Sequence, residues 1–279
     1  MKRLVTLTAN TTIDQTLIIP AFEAGRTIRA TSSIVSMGGK PTDASYILGQ
    51  IGIPSLALGF AAGTVGQRVR AMLERQGAQV DFIEVEGESR INVVIVDERS
   101  RAQTTITSAS LRVSAAHQAA LLAQLEAVLP DAACLVLGGT LPAGLAPDFY
   151  ATLIERARAA SVPVIFDADE PNLSAGLRAR PDYIKPNRDE MERLTSRRLH
   201  DLDAIYQAGR DLQARYGCSP IVSMGGAGLL ALLPHATWRV PALEVPVISA
   251  AGAGDAVLAG LAAALWRGQP IEEGLRPNN

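Results

Sequence analysis

The sequence predicts an α/β fold: a mainly parallel central sheet with helices on both faces, and a small β-sheet lid beside it. Three observations carry that prediction. Short apolar runs rich in β-branched residues alternate with amphipathic segments along the chain, the pattern of strands covered by helices. Hydrophobic residues make up 48% of the 279, enough for a sizeable core in one large domain or two small ones. Two stretches of β character interrupt the alternation, and they supply the lid as an insertion rather than a second domain.

Taken in order, Leu4–Thr8 is the first strand and runs into the polar segment Asn10-Thr11-Thr12-Ile13-Asp14. The first interruption follows over residues 15–36 and leads to Gly38-Gly39-Lys40. There Pro41-Thr42-Asp43 opens a helix, since proline is tolerated in a first turn. Ser55–Leu58 reads as a strand, and Thr64–Gln76 as a helix with apolar residues three and four apart. The second interruption, residues 88–108, is a hairpin in which Ile91–Val96 and Thr104–Thr107 flank the polar turn Asp97-Glu98-Arg99-Ser100-Arg101. Helices over Ser114–Leu129, Pro147–Ala160 and Leu202–Tyr216 then alternate with strands over Ala133–Leu137, Val162–Asp167, Tyr183–Lys185 and Ile221–Met224. In such a sheet, ligands belong outside the carboxyl ends of the strands.

The 26 basic and 28 acidic side chains nearly balance, so neither nucleic acid nor a membrane surface is an expected partner. A small molecule is. Cys134 lies in an apolar run and is accompanied only by Cys218, which excludes a disulfide framework. His117, His200 and His235 have no Cys or carboxylate at ligand spacing, which argues against zinc. The opening residues soon turn polar, unlike a signal peptide, and the apolar helix from Ala256 to Trp266 is far short of a bilayer span. The expectation is a cytoplasmic protein.

The most informative stretch is Ser249-Ala250-Ala251-Gly252-Ala253-Gly254-Asp255, which runs into that helix. Gly252 and Gly254 let backbone N–H groups converge on an anion at the helix start, where the macrodipole adds about 0.3–2 kcal/mol toward holding negative charge. An Asp among those donors competes with the anion unless it has a task. Accepting the proton of an attacking hydroxyl is such a task. A Gly-rich turn ending in Asp also caps ordinary helices, so this segment alone leaves both readings open.

Other strand ends carry related features. In Lys185-Pro186-Asn187-Arg188-Asp189-Glu190, Pro186 stops a strand, Asn187 caps a helix, and Glu190 completes a capping box with its carboxylate at the same mouth. Ser223-Met224-Gly225-Gly226-Ala227-Gly228 is, by itself, a glycine-rich hairpin turn, and Gly138-Gly139 begins a strand-to-helix turn. Asp14 offers a carboxylate to sugar hydroxyls, while Lys40 is a cation beside a helix N-terminus. Arg90, next to Ile91 and Asn92, is either a phosphate fork or a charge guarding a β-edge. Asp167 ends a strand and is assigned no catalytic step.

In this order the segments resemble the signatures of the PfkB, or ribokinase-like, carbohydrate kinases, with the likeness spanning Leu4 to Gly260. Arg90, Asn92 and Ser249 place it nearest the branch that includes 1-phosphofructokinase and tagatose-6-phosphate kinase. The resemblance implies a ribokinase-like fold, a single kinase domain over residues 1–279, and transfer of the γ-phosphoryl of ATP to a hydroxyl of a small sugar or sugar phosphate. It implies Asp255 as base, with Gly252, Ala253 and Gly254 forming the anion hole. Asp14, Gly38, Gly39, Lys40, Asp43, Arg90, Asn92 and Gly139 would face the acceptor. Lys185, Asn187, Ser223, Gly225 and Gly228 would join Gly252 and Gly254 at ATP, and Glu190, through water, would join Asn187 at Mg²⁺. A homodimer formed through the lid is also implied.

The pattern has departures. Pro41 replaces the family's usual Gly, and Asp43 stands where the family has Asn, which puts an acceptor-only, repelling carboxylate near any substrate phosphate. Family members continue with further helices, whereas Pro277-Asn278-Asn279 follows soon after the Asp255 helix, so the C-terminal part of the fold is expected to be short or absent. Alternative readings are therefore a kinase of an unphosphorylated sugar or nucleoside, and a non-catalytic sugar- or nucleotide-binding member. A dinucleotide oxidoreductase is disfavoured because no GxGxxG follows the first strand, and a P-loop NTPase because Lys40 precedes proline.

Overall fold

β1 (Arg3–Thr8) is buried continuously from Leu4 to Thr8, as a strand covered on both faces must be. In the computed structural model, which describes residues 2–108, 111–244 and 252–276, it lies inside a nine-stranded sheet. The expectation attached to Ser249 falls outside the described residues. β1 pairs in parallel with β4 (Ser55–Ala61) on one side and β8 (Ala132–Gly138) on the other. β5 (Gln79–Glu84) continues the sheet beyond β4, also parallel. Beyond β8 come β9 (Val164–Asp167), β10 (Tyr183–Ile184) and β11 (Ser219–Ser223), again parallel. The hairpin strands β12 (Leu229–Leu232) and β13 (Thr237–Val240) close that edge antiparallel.

The two-residue period of the strands sorts their side chains between two helical layers. Val5, Leu7, Leu135 and Leu137 point into a core shared with α3 (Ala115–Val128), α4 (Phe149–Ala159), α5 (Asn172–Leu177), α6 (Arg188–Thr195) and α7 (Leu202–Tyr216). Leu4, Cys134 and Val136 point the other way, against α1 (Lys40–Gln50) and α8 (Ala253–Trp266). α2 (Gly63–Arg75) packs near the lid end through Val69 and Leu73. Among the described residues, no helix is long and apolar enough to cross a membrane.

The two interruptions form one separate four-stranded sheet, in the order β3 (Ser32–Gly38), β2 (Thr12–Ile19), β6 (Arg90–Asp97), β7 (Gln103–Ile106). Its register sets Thr12 beside Arg90 and Asp14 beside Asn92, so these polar side chains share a face. Ile13 and Met37 point to the opposite face and pack with Val69 and Leu73.

Several expected boundaries move, three of them with a bearing on the site. The strand expected from Val162 begins at Val164, because Pro163 has no N–H to give a ladder and contributes only its carbonyl, to Leu135. The strand expected to include Lys185 ends at Ile184. The helix expected from Pro147 begins at Phe149, after Asp148.

Candidate active site

α8 begins at the carboxyl end of the sheet with Gly252 as its N-cap, at φ 82°, a left-handed conformation suited to glycine. The N–H groups of Asp255 and Ala256 return to the Gly252 carbonyl at 3.0 and 2.9 Å. That turn fixes Asp255 in the first turn of the helix, among N–H groups that lack intrahelical acceptors. The turn is hemmed in on two sides. A Cβ added at Gly254 would lie 3.1 Å from Lys185 Nζ, and one at Gly252 would lie 3.3 Å from Asp43 Oδ2.

On the Lys185 side stands an ion network that sequence reasoning missed. Asp167, buried at the end of β9, receives Lys185 Nζ at 2.8 Å and Lys40 Nζ at 2.7 Å. Lys40 also reaches Glu190 Oε1 at 3.1 Å. Burial opposes ionisation of the Lys40 ammonium, but Asp167 and Glu190 more than offset it and raise its pKa. Burial likewise opposes the Asp167 carboxylate, yet Lys185 and Lys40 hold it below its ordinary value. Lys40, expected at the acceptor, has its ammonium tied to Asp167 and to the helix cap at Glu190.

That cap is the expected capping box. Asn187 Oδ1 accepts from Glu190 N, and Glu190 Oε2 accepts from Asn187 N, both at 2.8 Å. Asn187 pairs with Ser223, whose N–H donates to the Pro186 carbonyl at 3.0 Å, so two of the expected nucleotide segments lie side by side. Gly225 and Gly228 follow in the turn between β11 and β12. A Cβ at Gly228 would lie 2.0 Å from the Val240 carbonyl oxygen.

On the Asp43 side, the small sheet presents Asp14, Arg90 and Asn92. Asn92 Nδ2 donates to Asp14 Oδ1 at 2.8 Å, and Arg90 Nε donates to Thr12 Oγ1 at 2.9 Å. Gly38 is glycine for a steric reason, since a Cβ there would lie 2.6 Å from Asp14 Oδ1. Gly39 and Gly139 both take positive φ, at 82° and 81°, and Gly139 opens onto free space. Burial raises the Asp14 pKa despite Asn92 and Arg90, and burial lowers that of Arg90 despite Asp14. Asn10 Oδ1 and Asn92 Oδ1 are buried acceptors with no partner among the described residues, which is what hydroxyl donors of a ligand would satisfy.

Asp43 and Asp255 lie near enough for each to act on the other's ionisation. Burial, then the nearby Asp14 charge, push Asp43 up to about 6 against the lowering effect of Asp255. Burial and the charges of Asp43 and Asp167 raise Asp255 well above the ordinary carboxylate range, with Lys185 opposing. This proximity of side chains more than two hundred positions apart had no signal in the sequence beyond the presence of Asp43.

The donors fit magnesium in one way only. Each Glu190 oxygen and the Asn187 oxygen already accepts a hydrogen bond, and an ammonium lies 3.1 Å from Glu190 Oε1. That arrangement suits a hydrated ion approached through water. Among the described residues, no group of three or more His, Cys, Asp or Glu is placed to hold a metal by itself.

Comparison with known proteins points to one family. A model of the pfkB family carbohydrate kinases matches residues 2–277. The chain is 33% identical over 282 residues to the 1-phosphofructokinase of Rhodobacter capsulatus, covering 98% of this chain and 87% of that one. It is 31% identical over 260 residues to the 1-phosphofructokinase of Vibrio cholerae, covering 93% and 82%. Phosphofructokinase-2 from Escherichia coli, solved in complex with substrates and products, aligns with a TM-score of 0.90 over 98% of this chain and 89% of its own, at 24% identity, a likeness of fold. A family match over nearly the whole sequence, together with two relatives above 30% identity, makes this chain a member of the pfkB family of carbohydrate kinases.

Proposed function

We propose that the chain transfers the γ-phosphoryl of ATP to a free hydroxyl of a fructose phosphate, with fructose 1-phosphate as the first candidate acceptor. The observation that carries this reading is the position of Asp255: its helix turn has Lys185 beside Gly254 and Asp43 beside Gly252, and Asp43 in turn feels the charge of Asp14 in the small sheet. A base in that turn has the phosphoryl donor on one side and the acceptor on the other. The two 1-phosphofructokinase relatives support the acceptor class.

In this reading Asp14, with Asn10 and Asn92, holds the sugar hydroxyls, and Arg90 grips the phosphate already present by paired hydrogen bonds. Lys185, Ser223, Gly225 and Gly228 hold the nucleotide, while Asn187 and Glu190 organise that corner. Mg²⁺, when bound, neutralises charge on the nucleotide phosphates. Asp255 accepts the proton of the attacking hydroxyl, and the N–H groups of Gly252, Ala253 and Gly254 stabilise charge on the transferring group. The small sheet acts as a lid that excludes competing water, and its outer face joins two copies into a homodimer.

The test is ADP release with Mg-ATP against fructose 1-phosphate, fructose 6-phosphate, tagatose 6-phosphate and unphosphorylated sugars. Turnover is expected on fructose 1-phosphate, and Asp255→Asn should lower it by roughly 10²–10⁴-fold, the scale of a general base. Turnover confined to unphosphorylated sugars, or an undiminished Asp255→Asn enzyme, would overturn the reading.

A further inference from the structure

The chain enters the small sheet from the large one twice, through Thr11 just before β2 and through Ser89 just before β6. At that crossing two hydroxyls meet. Thr11 Oγ1 and Ser89 Oγ lie 2.7 Å apart, on residues that are 0% and 2% exposed. Each hydroxyl also has a partner on the backbone at the end of β4: Thr11 Oγ1 donates to the Phe60 carbonyl at 2.8 Å, and Ser89 Oγ accepts from the Ala62 N–H at 3.0 Å. These partners fix the direction of every proton. A hydroxyl has one proton to give, and Thr11 spends its own on Phe60, so Ser89 donates the bond between the two. The series runs from Ala62 N–H through the Ser89 and Thr11 hydroxyls to the Phe60 carbonyl, with each of its protons committed.

The pair is closely seated. The Ser89 N–H donates to the Ala62 carbonyl at 2.9 Å, and a Cβ added at Gly66, in the first turn of α2, would lie 3.2 Å from Ser89 Oγ. One residue further along each strand the duty changes. Thr12 and Arg90 are the first partners of β2 and β6, and Arg90 Nε donates to Thr12 Oγ1 at 2.9 Å. Thr12 Oγ1 in turn donates to the Asn10 carbonyl at 3.0 Å. Asp14 and Asn92, two residues beyond, are also register partners and are joined by their own hydrogen bond at 2.8 Å. The pairs 11 with 89, 12 with 90 and 14 with 92 therefore run outward from the large sheet in one register.

We infer that Thr11 and Ser89 form a hydrogen-bonded clamp that sets where the small sheet, and with it Asp14, Arg90 and Asn92, stands relative to the large one. The inference rests on the kinase reading, in which those three side chains hold the acceptor. The other joint between the small sheet and the rest of the chain is apolar, made by Ile13 and Met37 against Val69 and Leu73. Apolar contacts have no direction and permit sliding. Three hydrogen bonds in series, with every proton committed, hold one geometry. Loss of either hydroxyl leaves a buried group unpaired: without Thr11 the Ser89 proton loses its acceptor, and without Ser89 the Ala62 N–H loses its own. Thr11 and Ser89 are positioning residues, acting on the acceptor only through the side chains that follow them on β2 and β6.

The experiment measures kcat and KM with fructose 1-phosphate and Mg-ATP for the full chain, Thr11→Val, Ser89→Ala, the double variant and Thr11→Ser. Thr11→Val keeps the shape of the side chain and removes the hydroxyl. It should raise KM for the sugar phosphate about tenfold while kcat falls less than about threefold, because Asp255 belongs to α8 and is untouched. Thr11→Ser keeps the hydroxyl and should keep KM near the wild-type value. The double variant should be little worse than Thr11→Val, since both changes break one series of bonds. An unchanged KM in Thr11→Val, a fall in kcat as large as the rise in KM, a Thr11→Ser enzyme as poor as Thr11→Val, or simple addition in the double variant would overturn the inference. Hydrogen exchange of the unliganded proteins needs no turnover: amides of β2 and β6 should exchange faster in Thr11→Val and Ser89→Ala, with those of β1 and β8 at wild-type rates. A rise shared by both sheets would mark a general loss of stability and overturn the clamp, as would rates unchanged everywhere. A chain inactive on every acceptor would bring down the kinase reading instead, with the exchange still deciding the clamp.

Discussion

At the scale of single residues, the site is governed by where positive charge is placed. Among the described residues, Asp167 pairs with both Lys40 and Lys185, and neither Asp43 nor Asp255 forms an ion pair. Asp167 is 1% exposed and Lys185 only 6%, so removing the shared carboxylate strands a buried ammonium. Asp167→Asn should therefore destabilise the fold by about 3–5 kcal/mol, the scale for breaking a buried pair on one side. The sign with pH follows from the direction of the shift. The folded Asp167 pKa lies below its ordinary 3.8, so its contribution is complete above that value and is lost as pH falls through the folded one. Urea unfolding should show a gap between wild type and Asp167→Asn that is constant from pH 7 to pH 5 and narrows below about pH 4. A gap that does not depend on pH would remove the ion network as its cause. Asp43 has the opposite sign, with a folded value of about 6 above its ordinary 3.8, so its contribution to stability is lost as pH rises through that interval. The residues of this corner were legible one by one. Their pairing was not, because the Lys40 contacts span 127 and 150 positions and no local pattern encodes such separations.

At the scale of elements, the central strands were legible because continuous burial left them continuously apolar: Leu4–Thr8, Ser55–Leu58 and Ala133–Leu137 all lie inside observed strands. Leu202–Tyr216 coincides with α7, whose start is fixed by the Asp201 side chain accepting from Ala204 N, and whose end is fixed by Gly217 at φ 70°. β5 escaped notice because it carries exposed Gln79, Asp81 and Glu84 along its length, and β12 and β13 because each is only four residues long. Close approaches between elements were also hidden, and α8 shows the consequence. A Cβ at Gly260 would lie 2.4 Å from the Gly274 carbonyl oxygen, in the short 3₁₀ segment Ile271–Leu275 that covers the helix. Gly→Ala inside a helix ordinarily gains about 0.5–1 kcal/mol, whereas forcing atoms into a packed contact costs about 1–3 kcal/mol. The steric effect is the larger, so Gly260→Ala should lower stability in urea unfolding despite its better helix propensity. A variant as stable as the wild type would mean that the 3₁₀ segment yields without loss.

At the scale of the whole molecule, the small sheet has two faces with different duties. Its register puts Asp14, Arg90 and Asn92 on one face, toward the carboxyl ends of the large sheet. Val35, Gln15, Val93 and Ile106 line up across the other face, with Ile91 two residues from Val93. Ile106 is 53% exposed, Val35 38% and Ile91 36%, and Ile106 sits on β7, the last strand at one side of this sheet. An apolar face beside an open edge is a liability for an isolated sheet. A second copy of the same face would cover it, and a two-fold contact needs only a self-complementary patch. Such a contact would also stiffen the sheet that carries the proposed acceptor groups, coupling assembly to the proposed site. Ile106→Asp, which puts a charge in the middle of the patch and touches nothing in the catalytic turn, should halve the mass seen by sedimentation equilibrium. It should also raise KM for the sugar phosphate more than it lowers kcat, because the loosened sheet bears on binding and Asp255 belongs to α8. A wild-type chain that is monomeric at micromolar concentration, or an Ile106→Asp chain that remains dimeric, would show that this face is not where two copies meet.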